Sequence, residues 1–323
     1  MFSLCTHHPA KRDSIVFDLR GAWIRIRGLG ISILARIRTF MTVFRSSVTI
    51  LTFAAVLCAG AQAHAAGLVP HKALYSIDLI ATHNGSQITN IGGKMLYETR
   101  QDCEAWITDH HFDLFYEYAE SPGMRITSDF STYESNDGKK LNFTSRRSRD
   151  GEMYQEIRGS AETGAKLSQV TYTMPDGLKQ TLTQDTVFPT AHTMELIRSA
   201  QKGDKFYTAN VFDGSDEEGP IEINSFIGKQ VEPQAKPVKD KAGKIDTALT
   251  DNKAWNVRMA VFPSADKSEE SDYEMSMVFH ENGVISDMVI DYDDFTVRQK
   301  LIALEKLPAA SCGNPPQKGT KAP

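Results

Sequence analysis

Ala73-Leu-Tyr-Ser-Ile-Asp-Leu-Ile-Ala81 sets the pattern for the whole chain. Ala73, Tyr75, Ile77 and Leu79 fall on one side, and Ser76 and Asp78 on the other. That two-residue period belongs to a half-buried β-strand. The same period continues outward from it. Ile88 to Tyr97 returns after a turn at His83-Asn-Gly-Ser86, with Gly92-Gly93 expected as a bulge. Ala105 to Tyr118 follows. Met124–Glu134 and Leu141–Arg149 flank Asn136-Asp-Gly138, a strong hairpin signal because Asn-Gly and Asp-Gly pairs tolerate the positive φ of tight turns. Strands are also expected at Glu152–Ser160, Ala165–Tyr172, Lys179–Thr183, Lys205–Phe212 and Ile221–Lys229. Asn252–Pro263, Asp272–Phe279, Val284–Tyr292 and Phe295–Lys306 close the series. A dozen or more short strands in one domain imply an all-β fold, a spiral or open barrel-like antiparallel sheet that limits exposed edges.

One segment departs from this period. Pro189 to Gly203 reads as a helix near 190–202, with Met194, Ile197 and Ala200 at helical spacing. Thr190 is expected to cap it and Gly203 to stop it.

The domain plan follows from composition. Residues 1–40 are Arg-rich and patternless, and read as an upstream extension ahead of a start at Met41. Residues 41–65 read as a cleaved export signal: Arg45, then an apolar run from Val48 to Leu57, then Ala61-Gln-Ala63-His-Ala65 with small residues before the cut. The run is shorter than the roughly 20 residues that span a bilayer. Residues 66–313 form a single β domain, 229–250 a Lys/Pro/Ala-rich mobile loop, and 314–323 a disordered tail. Residues 1–65 carry 8 of the 36 basic and 2 of the 41 acidic residues, which leaves 28 against 39, a formal −11. That balance argues against nucleic acid and against adsorption on anionic lipid.

Of the 4 cysteines, Cys5 and Cys58 precede the cut, so Cys103 and Cys312 remain. An exported chain meets an oxidising compartment, where two thiols are expected to pair. No C-x-x-C spacing suggests redox catalysis.

Other chemistry is weighed against plainer readings. His110 and His111 are adjacent on a strand and face opposite sides, so they cannot share a metal. Asp109, His111 and Asp113 share a face but spread over about 14 Å, which reads as a solvated surface. Asp213-Gly-Ser-Asp-Glu-Glu-Gly219 lacks the ligand spacing of a calcium loop and reads as a turn. Ser215, His192 and Asp185 could be written as a triad, but no nucleophile motif supports it. Neither catalytic residues nor a cofactor or metal are expected. The aromatics of the early strands, among them Tyr97, Phe112, Tyr116 and Phe143, are core residues. In a curled sheet some of them would line a concavity suited to a lipid or peptide ligand.

Several stretches together resemble a known family. They are Leu68-Val-Pro-His-Lys-Ala-Leu-Tyr75, Asp102-Cys-Glu-Ala-Trp106, Phe188-Pro-Thr-Ala-His192, Lys202-Gly-Asp204, Val211-Phe-Asp-Gly-Ser215, Phe226-Ile-Gly228, and Leu304-Glu-Lys-Leu-Pro308 with Cys312. Over residues 67–313 the chain resembles the cell envelope integrity protein EipB family of alphaproteobacteria. Ala105 stands where that family commonly has Gly. The resemblance implies a periplasmic β-spiral with a Cys103–Cys312 disulfide. It also implies a non-enzymatic role in envelope integrity under stress, linked to a periplasmic tetratricopeptide-repeat protein.

Overall fold

The computed structural model describes residues 67–164, 168–232, 245–263 and 270–312. The proposed extension 1–40, signal 41–65 and tail 314–323 lie outside the described residues, as does most of the 229–250 loop. The strands are β1 His71–Thr82, β2 Ile88–Gln101, β3 Ala105–Tyr118, β4 Met124–Ser135, β5 Lys140–Arg149, β6 Glu152–Glu162, β7 Gln169–Met174 and β8 Lys179–Thr181. Helix α1, Pro189–Lys202, leads to β9 Phe206–Val211 and β10 Ile221–Val231. After a 3-10 turn at Thr247–Leu249 come β11 Ala254–Phe262, β12 Tyr273–His280, β13 Ile285–Tyr292 and β14 Phe295–Lys306.

All fourteen strands form one antiparallel sheet in the order β8-β7-β6-β5-β4-β3-β2-β1-β14-β13-β12-β11-β10-β9. Every neighbouring pair is a hairpin connection or close to one, except at β1, which pairs with β14 from His71↔Lys306 to Thr82↔Phe295. The first and last strands therefore meet in the middle of the sheet, and β8 and β9 are its two edges.

The alternation seen in the sequence sorts side chains by face. On β1, His71, Ala73, Tyr75 and Ile77 are buried. On β3 the even-numbered Trp106, His110, Phe112, Leu114 and Tyr116 are buried, and odd-numbered Asp109, His111 and Asp113 face outward. The sheet curls around its buried face. The Tyr75 hydroxyl on β1 donates to the Ile285 carbonyl on β13 at 2.9 Å, and the Tyr116 ring on β3 meets Phe295 on β14 at 6.3 Å. One core cluster gathers Phe130, Leu141, Phe143, Ile157, Val170, Tyr172, Phe188 and Phe212. Each such large apolar side chain contributes about 1.5–3 kcal/mol on burial.

Two local expectations need correction. Gly92-Gly93 does not form a bulge: β2 stays in register with β1 through Ile77↔Gly93 and Asp78↔Gly92, and its irregularity against β3 falls between Ile88 and Asn90. Gly93 is required for closeness instead, because a Cβ there would stand 2.2 Å from the Asp113 carbonyl oxygen. The helix does not begin with a Thr190 cap. Its N-cap is Phe188, which makes no side-chain cap bond, with Pro189 at the first helical position. At the other end Gly203 adopts φ +84°, and the Gly203 and Asp204 amides donate to the Ala200 and Ser199 carbonyls, so the expected stop holds. The two ends of the 229–250 stretch are built into the fold: β10 runs on to Val231, Ile245 bridges Leu304, and Leu249 is buried.

Candidate functional site

The disulfide and the helix N-terminus share one end of the sheet. Cys103 lies in the β2–β3 turn and bonds Cys312 beyond β14, with Cα atoms 5.5 Å apart. The turn is tied to the β4–β5 hairpin. The Asn136 amide donates to the Glu104 carbonyl at 2.9 Å, and Asn136 Nδ2 donates to the Cys103 carbonyl at 2.9 Å. The hairpin in turn abuts α1, since a Cβ on Gly138 would lie 3.2 Å from Ala191 Cβ. Beneath it, Glu134 of β4 is 1% exposed. Its carboxylate accepts from the Thr190 amide at 2.7 Å and the Ala191 amide at 2.8 Å. These are donors that an unassisted helix start leaves orphaned. Burial pushes the Glu134 carboxyl up to about 7, against the downward pull of the two amides. So α1 is capped by a strand on the other half of the sheet, and it sits on the buried face.

The segment after β9 closes the same half. The Phe212 ring packs on Phe143 at 5.5 Å. Arg147 of β5 donates to the Ser215 carbonyl at 3.2 Å and to Gln155 Oε1 at 2.8 Å. The Tyr172 hydroxyl is 3.3 Å from the Asp216 carbonyl. Gly214, at φ +73°, passes so close to Phe143 that a Cβ would stand 2.3 Å from its ring. The acidic stretch 213–219 is therefore a turn docked onto β5–β8. Asp213 Oδ1 and Asp216 Oδ1 accept from the Ser215 and Glu218 amides within it. Burial, reinforced by Asp213, raises the Asp216 carboxyl to about 6.

The triad on paper is not assembled. Asp185 accepts from Asn210 Nδ2 at 3.0 Å. His192 is buried in α1, stacked on Tyr207 at 5.4 Å, and its Nε2 has no hydrogen-bond partner. Burial lowers its pKa to about 3. Ser215 is held through its backbone, its carbonyl accepting from Arg147 and its amide donating to Asp213. His110 and His111 lie on opposite faces: His110 packs edge-on against Phe130 inside, and His111 Nδ1 meets Asp129 at 2.7 Å outside. The outer strip of β2–β6 is laced by Arg100–Asp109, Arg125–Asp113 and Arg146–Glu156 pairs. A shallow concavity of about 230 Å³ lies among Glu98, Asp109, His111, Asp129 and Arg146. It is the solvated strand face that the alternation implied.

Two features had no place in the sequence reading. The first is on the outside, at the β9 edge. Among the described residues, β9 pairs with β10 on one side and, on the other, only with Val187, which bridges Val211. Beside this edge Phe206 is 73% and Phe226 44% exposed, directly opposite one another with rings 5.3 Å apart. The second is on the inside. Met95, Met259, Met275, Met277 and Met288 are all buried on the inner face. Cross-strand pairing aligns Ser225↔Met259↔Met275 and Met277↔Met288↔Gln299↔Ile77. Gln299 is 0% exposed, yet neither its Oε1 nor its Nε2 has a hydrogen-bond partner, and the Ser225 hydroxyl likewise has none. The signal for Glu134 and Gln299 was present in the pattern: each is a polar residue in the apolar phase of an alternating strand.

A curled antiparallel sheet with its last segment tied by a disulfide to the β2–β3 turn, and with a crossover helix on its buried face, defines a barrel-like, all-β class of protein. Residues 62–308 match the EipB-like family model, and the chain belongs to that family. It is 32% identical over 266 residues to the cell envelope integrity protein EipB of Brucella abortus, covering 80% of this chain and 92% of that protein. It is also similar to a crystal structure of a β-barrel-like protein of the domain of unknown function DUF1849 from Brucella abortus. That match has a TM-score of 0.69 and 30% identity, over 76% of this chain and all of the other.

Proposed function

We propose that this protein is exported to the periplasm and maintains the cell envelope by binding a protein partner, without catalysing a reaction. The relative named for cell envelope integrity supports the envelope role. The observation that carries partner binding is the β9 edge, an open strand edge beside the exposed Phe206 and Phe226 pair. An open edge offers main-chain hydrogen bonds to an added strand, and adjacent aromatics supply the buried anchors that dominate interface energy. A periplasmic tetratricopeptide-repeat protein is the partner that the family resemblance offers for trial. The test is capture from intact cells, with the tagged wild type against a Phe206→Ser/Phe226→Ser variant. Specific partners held by the wild type and lost by the variant support the reading. Equal capture by both, or none by either, rejects it.

A second reading is favoured by the inner face: a carrier for a lipid or lipopeptide. Its basis is the methionine-lined wall with the unpartnered Gln299 amide. Methionine is unbranched and repacks around ligands of varied shape.

A further inference from the structure

We propose that the end of the sheet away from the disulfide is a second docking surface, which takes a basic, amphipathic segment of a partner polypeptide. It is separate from the β9 edge and does not depend on it.

Four turns make this end: β1–β2, β3–β4, β5–β6 and β13–β14. They are bonded to one another and to the neighbouring strands. The His83 amide donates to the Asp294 carbonyl at 3.0 Å, the Ala119 amide to the Gln87 carbonyl at 2.9 Å, and the Asp150 amide to the Arg125 carbonyl at 2.8 Å. A rim fixed in this way loses little conformational freedom when something binds to it.

Seven large apolar side chains are exposed among the described residues, and four of them, Ile80, Phe115, Met153 and Tyr154, stand at this end. Phe115 is 47% exposed, yet it is held in place. Gly123 backs it so closely that a Cβ there would stand 2.5 Å from the ring. On the other side of Phe115 the outer face carries no side chain, because its partner on β2 is Gly92, which in turn pairs with Asp78 of β1. A Cβ on Gly92 would meet nothing within 4 Å. The ring therefore borders an open slot floored by main chain, and Ile80 follows Asp78 by two residues on the far strand. Such a slot fits an apolar side chain from outside.

Charge selects what that side chain belongs to. Glu117, Glu120, Asp150, Glu152, Asp293 and Asp294 are all exposed in these turns or beside them. Only Arg125 and Arg149 oppose them there, and both are engaged. Arg125 donates to both Asp113 oxygens, at 2.7 and 2.6 Å, and Arg149 lies 5.3 Å from the Tyr154 ring centroid. Among the described residues none of the six carboxylates forms an ion pair, whereas elsewhere on the outer face Asp109, Glu156, Glu274 and Asp287 each have an arginine. Uncompensated negative charge around an apolar slot repels a second copy of the same rim and repels anionic lipid. It favours an apolar anchor flanked by lysine or arginine.

The experiment uses the exported full chain and two synthetic peptides of equal length. One carries lysines around a central Phe-Ile pair, the other glutamates around the same pair. Binding is read by fluorescence anisotropy in wild type, Phe115→Ser, the triple variant Glu120→Gln/Asp293→Asn/Asp294→Asn, and Phe206→Ser/Phe226→Ser. Wild type should bind the lysine peptide and not the glutamate peptide. Phe115→Ser should weaken binding about tenfold, as loss of a central aromatic contact does. The triple variant should weaken it about tenfold at low salt, with the difference fading by about 0.5 M salt. The Phe206→Ser/Phe226→Ser variant should bind as wild type does. Melting curves verify folding, and the triple variant, which alters only exposed side chains, carries the test should Phe115→Ser fail to fold. Equal binding of the two peptides, no binding of the lysine peptide, or full binding by both rim variants would overturn the proposal. Loss confined to the Phe206→Ser/Phe226→Ser variant would overturn it too and place the peptide at the β9 edge. Wild-type protein that sediments with phosphatidylglycerol vesicles, and fails to do so as Phe115→Ser, would make the rim a membrane contact instead.

Discussion

Replacing Glu134 with glutamine tests whether α1 is held by a buried, titrating carboxyl. The folded protein raises this carboxyl from 4.5 to about 7, chiefly by burial. A carboxyl raised this far holds its proton in the folded state at a pH where the unfolded chain has lost it. Folding stability therefore falls as pH rises from about 4.5 through about 7, by about 3 kcal/mol over the whole range. Other buried groups act in different windows. His71, His110, His192 and His280 are all lowered by burial, so they remove stability as pH falls through 6.5, and from pH 6.5 to 8 the loss of the last unfolded-state protons still adds about 1.5 kcal/mol for the four together. Asp216, raised to about 6, has largely ionised by pH 6.5. Between pH 6.5 and 8 integration gives a Glu134 loss of about 1 kcal/mol, which the imidazole gain opposes, so it is isolated only in the difference between wild type and a Glu134 variant. The assay is urea unfolding at fixed ionic strength across that window. The profile of Glu134→Gln should rise more steeply than that of wild type, so that their stability difference shifts by about 1 kcal/mol in favour of the variant from pH 6.5 to 8, whatever the absolute stabilities. Parallel profiles for wild type and the glutamine variant would refute the clasp.

Three other outcomes follow from the structure. Changing Cys103 and Cys312 together to serine should lower unfolding stability by up to about 5 kcal/mol, from the chain-entropy model for a separation of 209 residues; a loss under about 1 kcal/mol in urea titration would mean the bridge adds little. Gly214→Ala combines positive φ with a Cβ 2.3 Å from Phe143, and should cost about 2–4 kcal/mol in thermal or urea unfolding; a neutral result would show that the 213–219 turn is not docked as described. Phe206→Ser/Phe226→Ser should leave stability within about 0.5 kcal/mol, since both rings are exposed, so any loss of partner capture reflects the surface and not the fold.

What the sequence made legible was local. Period-two alternation located the strands, Asn136-Asp-Gly138 located a hairpin, and the switch in period at Pro189 located the helix. Each of these signals is written within a dozen residues. The pairing of β1 with β14 was not legible, because nothing near His71 records which distant strand lies beside it. The misread glycine pair has the same cause. Gly93 answers to the Asp113 carbonyl on the next strand, a neighbour that only the folded register reveals. The helix cap was assigned to Thr190, next in the chain, when the acceptor is Glu134, 56 residues earlier. Glu134 and Gln299 were nonetheless marked by phase: in Phe130-Ser-Thr-Tyr-Glu134 and in Val297-Arg-Gln-Lys-Leu301, each falls where an apolar side chain is due.

The strand order also has a consequence for how the chain reaches its fold. As β1 through β8 emerge they can pair with one another in sequence, but the outer side of β1 stays open until β14 has been made. The molecule is thus a simple up-and-down meander that has been cut in its middle and rejoined through α1. Linking the two termini and opening the chain within the β8–α1 connection would restore a run of nearest-neighbour hairpins with no long-range ladder. Such a circular permutant has a lower contact order and should fold faster. In it the Cys103–Cys312 bridge would close a loop of several tens of residues in place of 209, and the chain-entropy model lowers its contribution by only about 1 kcal/mol. The natural connectivity therefore leaves an unpaired strand edge in the half-made protein and sets a covalent tie where the last strand must find the first.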